Sequence, residues 1–369
     1  KVRSVETLQG LASFVSNQEL LVKEKDKEVK VQFKHCIIAS GSSSSLIPGL
    51  PKNNKSILTS KTALDLESVP EKFLVVGGGI IGLELGQVYA ALGSKVTVVE
   101  FLPNLVPGAD PDLMKPLHRK LKKQFESILL SSKVTKVSSF DENKLKVKIE
   151  SEVETIETVF DKVLISVGRK PNIETLNIEN TSIKISDNGF IKVDEYQRTS
   201  VSSIYAIGDV VGNPMLAHKS TYQGKIAAEV ASGHPAIYDV RAVPSVIYTD
   251  PEVAWAGVTE MEAKEKNIPY ELGEFPWAAS GKALILNASQ GKTKILLDPD
   301  TKQIIGAGVV GPAAGDIISE AMLAIEMGSD VEDLALTMHP HPTLGETMAA
   351  SAEVYTGAMT DLYVPKKQK

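Results

Sequence analysis

Two hydrophobic patterns divide most of the chain. Between residues 69 and about 187, short apolar runs such as FLVV and VTVV alternate with helical segments predicted over 80–92 and 112–126. From Pro244 onward, VIYTDPEVAWAGV, TKILLDPD and KQIIGAGVVG are typical of antiparallel strands joined by Asp-Pro turns. The helix predicted after these strands has one apolar face, formed by Ile317, Ala321 and Ile325, with Ile318 and Met322 beside it.

The other two segments are less regular. Residues 1–68 hold short β segments, among them VKVQF and HCIIASG, before the loop-forming run SGSSSSLIPGLP. Residues 188–243 contain GFIKVD, SIYAIGD and the helical run HKSTYQGKIAAEVAS. The alternation of strands and helices predicts an α/β fold with doubly wound, Rossmann-like domains, and the C-terminal pattern predicts an α+β domain with an antiparallel sheet.

Composition and charge exclude several classes of function. The net charge of −6 provides no electrostatic surface for nucleic acid or anionic lipid, and no apolar run is long enough to span a bilayer. The single cysteine, Cys36, excludes an intrachain disulfide and fits a reducing cytosol, so a cytoplasmic location is expected.

The stretch FLVVGGGIIGLELG carries the strongest chemical signal. Gly77 allows a tight turn out of the strand, Gly79 lets a pyrophosphate approach the backbone, and Gly82 and Gly86 let the next helix pack closely on the sheet. The motif follows a predicted strand and opens a predicted helix, whose first N–H groups then face the phosphates. A glycine-rich turn without a ligand is the plain alternative.

Glu100 ends the next predicted strand, where a carboxylate can accept both hydroxyls of a ribose. Its charge would repel a 2′-phosphate, and no arginine follows in FLPNL to receive one. The sequence therefore favours NAD over NADP.

Two further motifs allow both a functional and a structural interpretation. In SIYAIGD, Asp209 follows a predicted strand. The functional interpretation places it at the sheet edge where ligands bind, and the structural interpretation makes it the cap of the next helix. In MHPHPTLGE, Thr343 and Glu346 have capping-box spacing with Pro342 near the helix start, and His341 is alternatively a general base oriented by Glu346. No ligand set at zinc spacing accompanies the two histidines, so no metal site is predicted.

Taken together, GGGIIGLELG, VTVVEFL, ISVGRKPN, YAIGDVVGNPMLAHK, YTDPEVAWAGVTE, HPHPTLGE and AEVYTGAMTDL resemble the bacterial dihydrolipoamide dehydrogenases, which belong to the class I pyridine nucleotide-disulfide oxidoreductases. The resemblance implies oxidation of dihydrolipoamide, on the lipoyl groups of 2-oxoacid dehydrogenase complexes, through FAD to NAD. It implies a homodimer that binds the lipoyl acyltransferase component. It also assigns the domains: 1–68 and 188–243 to FAD binding, 69–187 to NAD binding and 244–369 to dimerisation.

The resemblance also implies site residues. The catalytic acid–base pair is His341 with Glu346, acting at the flavin of the other subunit. The implied NAD contacts are Gly77, Gly78, Gly79, Ile80, Ile81, Gly82, Leu83, Glu84, Glu100, Val134 and Gly168. The implied FAD contacts are Ala12, Ser40, Gly41, Ser42, Asp209, Met215, Leu216, Ala217 and His218.

Two elements of the family pattern are missing from the sequence: the glycine-rich FAD loop and the C-x4-C redox disulfide. Cys36 lies in an apolar strand and is expected to be a buried, inert thiol. Because the chain also begins at Lys1 within a predicted strand, we expect it to be an inactive fragment of a longer enzyme.

Three alternatives stay open. Glutathione reductase shares an HPT-type motif but reads NADP, which Glu100 disfavours. Soluble pyridine nucleotide transhydrogenase lacks the disulfide by nature. A non-catalytic NAD-binding dimer module, or an assembly subunit of a dehydrogenase complex, would need no redox centre.

Overall fold

A computed structural model of the protein describes residues 4–362. The predicted solvated tail, PKKQK, lies outside the described residues.

The strands, numbered in chain order, are β1 (Leu11–Ser16), β2 (Glu19–Glu24), β3 (Lys27–Gln32), β4 (Cys36–Ile38), β5 (Ser42–Ser44), β6 (Ile57–Leu58), β7 (Lys72–Val76), β8 (Lys95–Val99), β9 (Ser127–Leu129), β10 (Ser132–Ser139), β11 (Leu145–Ser151), β12 (Thr155–Phe160), β13 (Lys162–Ile165), β14 (Arg169–Pro171), β15 (Ile204–Ala206), β16 (Ser245–Ile247), β17 (Glu252–Gly257), β18 (Glu271–Pro276), β19 (Lys292–Leu297) and β20 (Ile304–Gly311).

The α-helices are α1 (Ser60–Ala63), α2 (Ile80–Ala91), α3 (Pro111–Gln124), α4 (Ala217–Ala231), α5 (Glu260–Lys266), α6 (Gly281–Ile285), α7 (Ala314–Met327), α8 (Val331–Leu336) and α9 (Glu346–Thr356). Short 3₁₀ helices cover Ile178–Asn180, Gly208–Val211 and Trp277–Ala279. No helix within residues 4–362 combines the length and apolar character needed to cross a membrane.

The chain forms two compact units. Within the described residues, one unit joins residues 4–45 to 169–240, and the other joins 46–168 to 241–362. Each unit is therefore assembled from two separate stretches of chain. The domain boundaries predicted from the sequence, 1–68, 69–187, 188–243 and 244–369, stay predictions.

In the second unit, a parallel sheet has the strand order β6-β13-β7-β8-β9. The side chains of Phe73, Leu74 and Val75 in β7 are completely buried, because helices cover one face of the sheet and the β10-β11-β12 meander covers the other. This explains why the strand sequence is continuously apolar instead of alternating. The predicted doubly wound α/β architecture is confirmed.

The C-terminal part of the same unit is an antiparallel sheet with the order β16-β17-β20-β19-β18. Helix α7 packs on it through the predicted apolar face, with Ile317, Ala321 and Ile325 all buried. The predicted C-terminal antiparallel sheet is confirmed. One hydrophobic cluster also joins the two sheets, since Ile247, Val253 and Val310 pack with residues of α2 and α3.

The first unit contains an antiparallel sheet, β1-β2-β3, and two small two-stranded sheets. Strands β4 and β15 pair in parallel, and β5 pairs antiparallel with β14. These pairings place the residues after β4 and after β15 at the same edge of a parallel sheet.

Trp277 lies in the core beside the antiparallel sheet, and replacing it tests how that core is packed. Its side chain is fully buried, its Nε1 donates to Thr293 Oγ1 at 2.9 Å, and Gly291 and Gly311 pack against its ring. Replacing it with leucine leaves a cavity and removes one hydrogen bond from the Thr293 hydroxyl, which stays bonded to Thr347, so we expect Trp277→Leu to lower the free energy of unfolding by about 3–5 kcal/mol. Chemical denaturation measures the loss. Val153→Ala, at a residue that is 93% exposed, is the control and should change stability by less than about 0.5 kcal/mol; equal effects of the two substitutions would contradict this packing.

Candidate functional site

The candidate dinucleotide site lies at the carboxyl ends of β7 and β13. The chain moves from β7 through β8 to β9 on one side, and then returns to place β13 on the other side of β7. This reversal of strand order opens a crevice where ligands bind in open α/β sheets. The predicted NAD residues Gly77 to Gly79 follow β7, and Gly168 follows β13, so the fold brings these two segments to the same crevice.

The glycines of the loop have three distinct roles. Gly77 has φ +106°, and a Cβ there would lie 2.5 Å from the Ser166 carbonyl oxygen. A Cβ at Gly82 would lie 2.1 Å from the Gly77 carbonyl oxygen, so α2 packs against its own turn. A Cβ at Gly79, in contrast, would have no heavy atom within 4 Å. The first and third glycines are therefore required by packing, whereas Gly79 leaves open space beside the backbone.

Glu100 connects this loop to the end of β8. One carboxylate oxygen accepts the Gly78 N–H at 2.6 Å, and the other accepts the Leu102 N–H at 2.8 Å. The residue is 9% exposed. Because each carboxylate oxygen has a second lone pair, Glu100 can hold the loop and still accept ribose hydroxyls.

The other predicted NAD residues lie around the crevice or within its supporting core. Ile80, Ile81 and Leu83 lie in the first turn of α2, and Leu83 is fully buried. Val134 lies in β10 and packs in the same hydrophobic cluster as Val76 and Val99. Gly168 has φ +126° with open space where a Cβ would stand.

Glu84 is also a predicted NAD contact, and its carboxylate accepts the Tyr248 N–H at 2.8 Å. Burial raises the pKa of its carboxyl group. The contact with Tyr248 is one that the sequence did not predict.

The geometry of the crevice fits NAD. Among residues 4–362, no side chain caps the first turn of α2, so its backbone N–H groups are available to a diphosphate. The open space at Gly79 leaves room for a diphosphate, and the Glu100 carboxylate can accept hydrogen bonds from a sugar. Ser166, which the sequence analysis missed, stabilises the turn by donating to the carbonyl oxygens of Val76 and Gly77.

A second cluster, in the first unit, joins the predicted residues Ser42 and Asp209 to Arg169, which was not predicted. Ser42 Oγ donates to Asp209 Oδ2 at 2.5 Å, and Arg169 Nε donates to Ser42 Oγ at 2.6 Å. Asp209 is the second residue of the 3₁₀ helix Gly208–Val211 and caps neither this helix nor α4, so the capping interpretation is wrong. Arg169 was missed because its partners are distant in sequence, although it directly follows Gly168 in a quoted motif.

The loop between Asp209 and α4 is held by Lys219. Its buried ammonium group donates to the carbonyl oxygens of Gly212 and Pro214, and burial lowers its pKa. This interaction shapes the segment that carries four predicted FAD contacts, Met215, Leu216, Ala217 and His218. No side chain of residues 4–362 caps α4 at Leu216, so the first turn can receive a phosphate.

The remaining predicted FAD residues occupy two places. Ser40 and Gly41 follow β4, and their carbonyl oxygens accept hydrogen bonds from Asn172. The Ser40 hydroxyl oxygen is buried without a hydrogen-bond partner in the described residues, which fits a polar ligand group beside it. Ala12 lies in the β1-β2-β3 sheet, where β1 pairs it with Val22.

The His341–Glu346 pair forms as predicted. His341 Nδ1 lies 2.9 Å from Glu346 Oε1, while Glu346 Oε2 accepts the Thr343 N–H at 2.6 Å. Because a carboxylate only accepts hydrogen bonds, the proton of the neutral ring lies on Nδ1, and the Nε2 lone pair is free to act as a base. The imidazole is largely exposed, with 79% of its side-chain surface accessible in this chain.

The predicted capping box forms only in part. Glu346 accepts the Thr343 N–H, but α9 begins at Glu346, and the Thr343 hydroxyl oxygen has no partner in the described residues. The prediction that Thr343 caps this helix is wrong, because Glu346 is the first residue of α9 instead of its third.

His339, which the sequence analysis considered only as a metal ligand, anchors this segment. Its Nε2 lies 2.7 Å from Glu320 Oε1 on α7, and its Nδ1 lies 2.8 Å from the Thr337 carbonyl oxygen. The partner Glu320 is distant in sequence, so motif spacing did not reveal it.

Comparisons with known proteins identify the family of the chain. The pyridine nucleotide-disulphide oxidoreductase family matches residues 2–224, and the dimerisation domain of that family matches residues 243–352. The chain belongs to the pyridine nucleotide-disulphide oxidoreductase family. FAD and NAD, the cofactors predicted from the sequence, are those that the family uses.

Curated relatives refine the similarity. The chain is 45% identical to the dihydrolipoyl dehydrogenase of Buchnera aphidicola subsp. Schizaphis graminum over 99% of this chain and 77% of that protein. It is 44% identical to the Vibrio parahaemolyticus enzyme of the same name, over 98% and 76% of the two proteins. The predicted resemblance to dihydrolipoyl dehydrogenases is confirmed.

Solved structures show the same fold. The HOCl-induced flavoprotein disulfide reductase RclA of Escherichia coli, as a Cu(II) complex of its C43S mutant, superposes with a TM-score of 0.85 at 25% identity, covering 95% of this chain and 78% of that one. LpdA of Mycobacterium tuberculosis superposes with a TM-score of 0.84 at 25% identity, covering 95% and 75%.

Glu100 generates the first prediction for this site. Glu100→Gln keeps the shape of the side chain but removes the charge that strengthens hydrogen bonds to ribose, so NAD should bind about 10-fold to 100-fold more weakly. Isothermal titration calorimetry with NAD measures the change. The exposed Glu152→Gln is the matched control and should bind NAD normally; an unaltered affinity in Glu100→Gln would refute the ribose assignment.

The different glycine environments generate a second prediction. Gly79→Ala should leave the melting temperature unchanged, because the added methyl group meets no atom of the chain, but it should abolish NAD binding. Gly82→Ala should lower the melting temperature, since its methyl group overlaps the Gly77 carbonyl. Thermal melts with and without NAD separate the two effects. Equal behaviour of the two variants in both measurements would show that the roles are misassigned.

Proposed function

We propose that the chain carries the NAD-binding and acid–base functions of a dihydrolipoyl dehydrogenase, which oxidises dihydrolipoamide to lipoamide and reduces NAD to NADH. The main support is the crevice formed by Gly77 to Gly79 and Glu100. The open space beside the Gly79 backbone suits a diphosphate, and the Glu100 carboxylate suits a ribose. The identity to dihydrolipoyl dehydrogenases over nearly the whole chain supports the choice of substrate.

His341 has the chemistry required of the base. Oxidation of a dithiol needs removal of a thiol proton, since the thiolate and not the thiol is the nucleophile. Glu346 holds the neutral imidazole with its proton on Nδ1, so Nε2 can accept the proton from substrate. FAD, when bound, supplies the redox centre between the dithiol and NAD. In the first unit, Asp209, Ser42 and the start of α4 are the residues proposed to hold it.

The proposed assembly is a homodimer. Residues 243–352 match the family's dimerisation domain, and α7 carries the exposed apolar side chains of Leu323 and Met327 on the face away from its core. We propose that His341 serves the flavin of the other subunit, and that the lipoyl acyltransferase component of a 2-oxoacid dehydrogenase complex is the larger partner.

We further propose that the 369 residues, assayed by themselves, do not complete this reaction. Dithiol oxidation through a protein disulfide needs two cysteines, and the sequence has one. The expectation that Cys36 is buried holds only in part, since the residue is half-buried in β4. This burial raises the pKa of its thiol to about 11, so its thiolate is scarce at neutral pH.

A chimera tests this function directly. Residues 1–369 replace the matching part of the Vibrio parahaemolyticus enzyme, and we expect dihydrolipoamide-dependent NADH formation from the product. His341→Gln in the chimera should lower turnover by about 10²–10⁴-fold with FAD retained, because the base is lost. His234→Gln is the matched control. Near-normal turnover of the His341 variant would leave that residue only a structural role.

Soluble pyridine nucleotide transhydrogenase is the second candidate, and the single cysteine favours it because that reaction needs no disulfide. Flavin-dependent hydride transfer from NADH to a nicotinamide analogue, without lipoamide turnover by the chimera, would support it. A colourless chain that binds NAD and catalyses neither reaction would indicate a non-catalytic module.

A further inference from the structure

We propose that Lys294 is a positioning residue for NAD binding. Its buried ammonium group holds Asp110, which ends the segment that starts after Glu100, and this attachment fixes the carboxylate that receives the ribose. We call residues 101–109 the ribose loop. The inference rests on the NAD site proposed above and adds to it a residue from the distant antiparallel sheet.

Lys294 lies at the centre of a buried ionic cluster. Its side chain is 1% exposed, and its Nζ lies 2.9 Å from Asp110, 2.8 Å from Asp112 and 2.7 Å from Glu260. Burial alone would lower the pKa of this lysine, but the three carboxylates raise it well above its usual range. The ammonium therefore stays charged, and a buried charge of this kind needs its partners in place.

Asp110 is the member of the cluster that fixes the loop. It is 2% exposed, and besides Lys294 its two oxygens accept the N–H groups of Glu260 at 3.0 Å and Met261 at 2.9 Å. The end of the ribose loop is thus attached to the start of α5, in the C-terminal half of the same compact unit.

A continuous series of hydrogen bonds leads from this attachment to the glycine loop. Ala109 N–H donates to the Val106 carbonyl at 3.0 Å, and Val106 N–H donates to the Gly78 carbonyl at 3.1 Å. Gly78 N–H then donates to Glu100. The Leu105 side chain packs over Gly78, so a Cβ there would lie only 2.6 Å from Leu105 Cδ2.

The ribose loop depends on these hydrogen bonds because one side of it faces a cavity instead of packed side chains. The loop forms a wall of a cavity of about 300 Å³, whose other walls include Met114 and His118 of α3 and Met261 of α5. Loss of the attachment at Asp110 would let the loop shift toward this space. Its contacts with Gly78 and Glu100 would weaken as a result.

The test measures NAD affinity by titration calorimetry in Lys294→Met and in the unmodified chain. We expect binding to weaken by about 3-fold to 30-fold, the usual range for coupling through a network of this kind. Lys292→Met removes the same charge from the same strand, and Lys292 contacts Asp112 and Glu274 but not Asp110. This control should bind NAD within about 2-fold of the unmodified chain.

A double-mutant cycle separates positioning from a general loss of stability. If Lys294 acts through Glu100, its substitution should have little further effect on NAD affinity in the Glu100→Gln chain. Fully additive effects, or normal affinity in Lys294→Met, would overturn the inference while leaving the proposed function intact. If Lys294→Met does not fold, Asp110→Asn takes its place in the same cycle with the same expected and contradicting results. Failure of the unmodified chain to bind NAD would contradict the proposed function itself, and the inference with it.

Discussion

The hydrogen bond from Gly78 N–H to the Glu100 carboxylate is the interaction on which the proposed NAD site depends. It joins the turn after β7 to the end of β8, so the loop proposed to hold the diphosphate and the carboxylate proposed to accept the ribose are fixed relative to each other. The distance of 2.6 Å and the carboxylate acceptor are typical of a strong hydrogen bond. Site geometry is thus set before any nucleotide arrives, which limits the entropy lost on binding.

The same bond connects local chemistry to the architecture of the unit. Glu100 also receives the Leu102 N–H, and the ribose loop runs from there to Asp110 at the start of α3. Helix α3 in turn packs on the antiparallel sheet, where Leu113 fits against Gly308 of β20. The ribose loop is therefore connected through α3 to the antiparallel sheet, which lies in the segment that matches the family's dimerisation domain. This packing restrains the motion of the two parts of the unit relative to each other.

The sequence predicted the features that depend on short spacing. The helix expected over 80–92 is α2 at Ile80–Ala91, and the glycine roles and the His341–Glu346 pair follow from residues a few positions apart. Apolar periodicity also predicted the buried face of α7. These features are local, because helix periodicity and turn geometry are decided within a few residues.

Interactions between distant segments could not be predicted in this way. Arg169 contacts Ser42, which lies 127 positions away in the sequence. Lys294, in β19, contacts Asp110 at the start of α3. No sequence motif predicts either contact. The Thr343 capping prediction was wrong for a related reason. The spacing was correct, but the Glu346 side chain orients His341 and the chain enters α9 later than the motif implies.

A crystal structure with NAD bound tests the central claim most directly. The account predicts the diphosphate within hydrogen-bond distance of the backbone N–H groups at the start of α2, beside Gly79, with the ribose hydroxyls on Glu100. A nucleotide bound elsewhere, or a crevice that stays empty at saturating NAD, would contradict it.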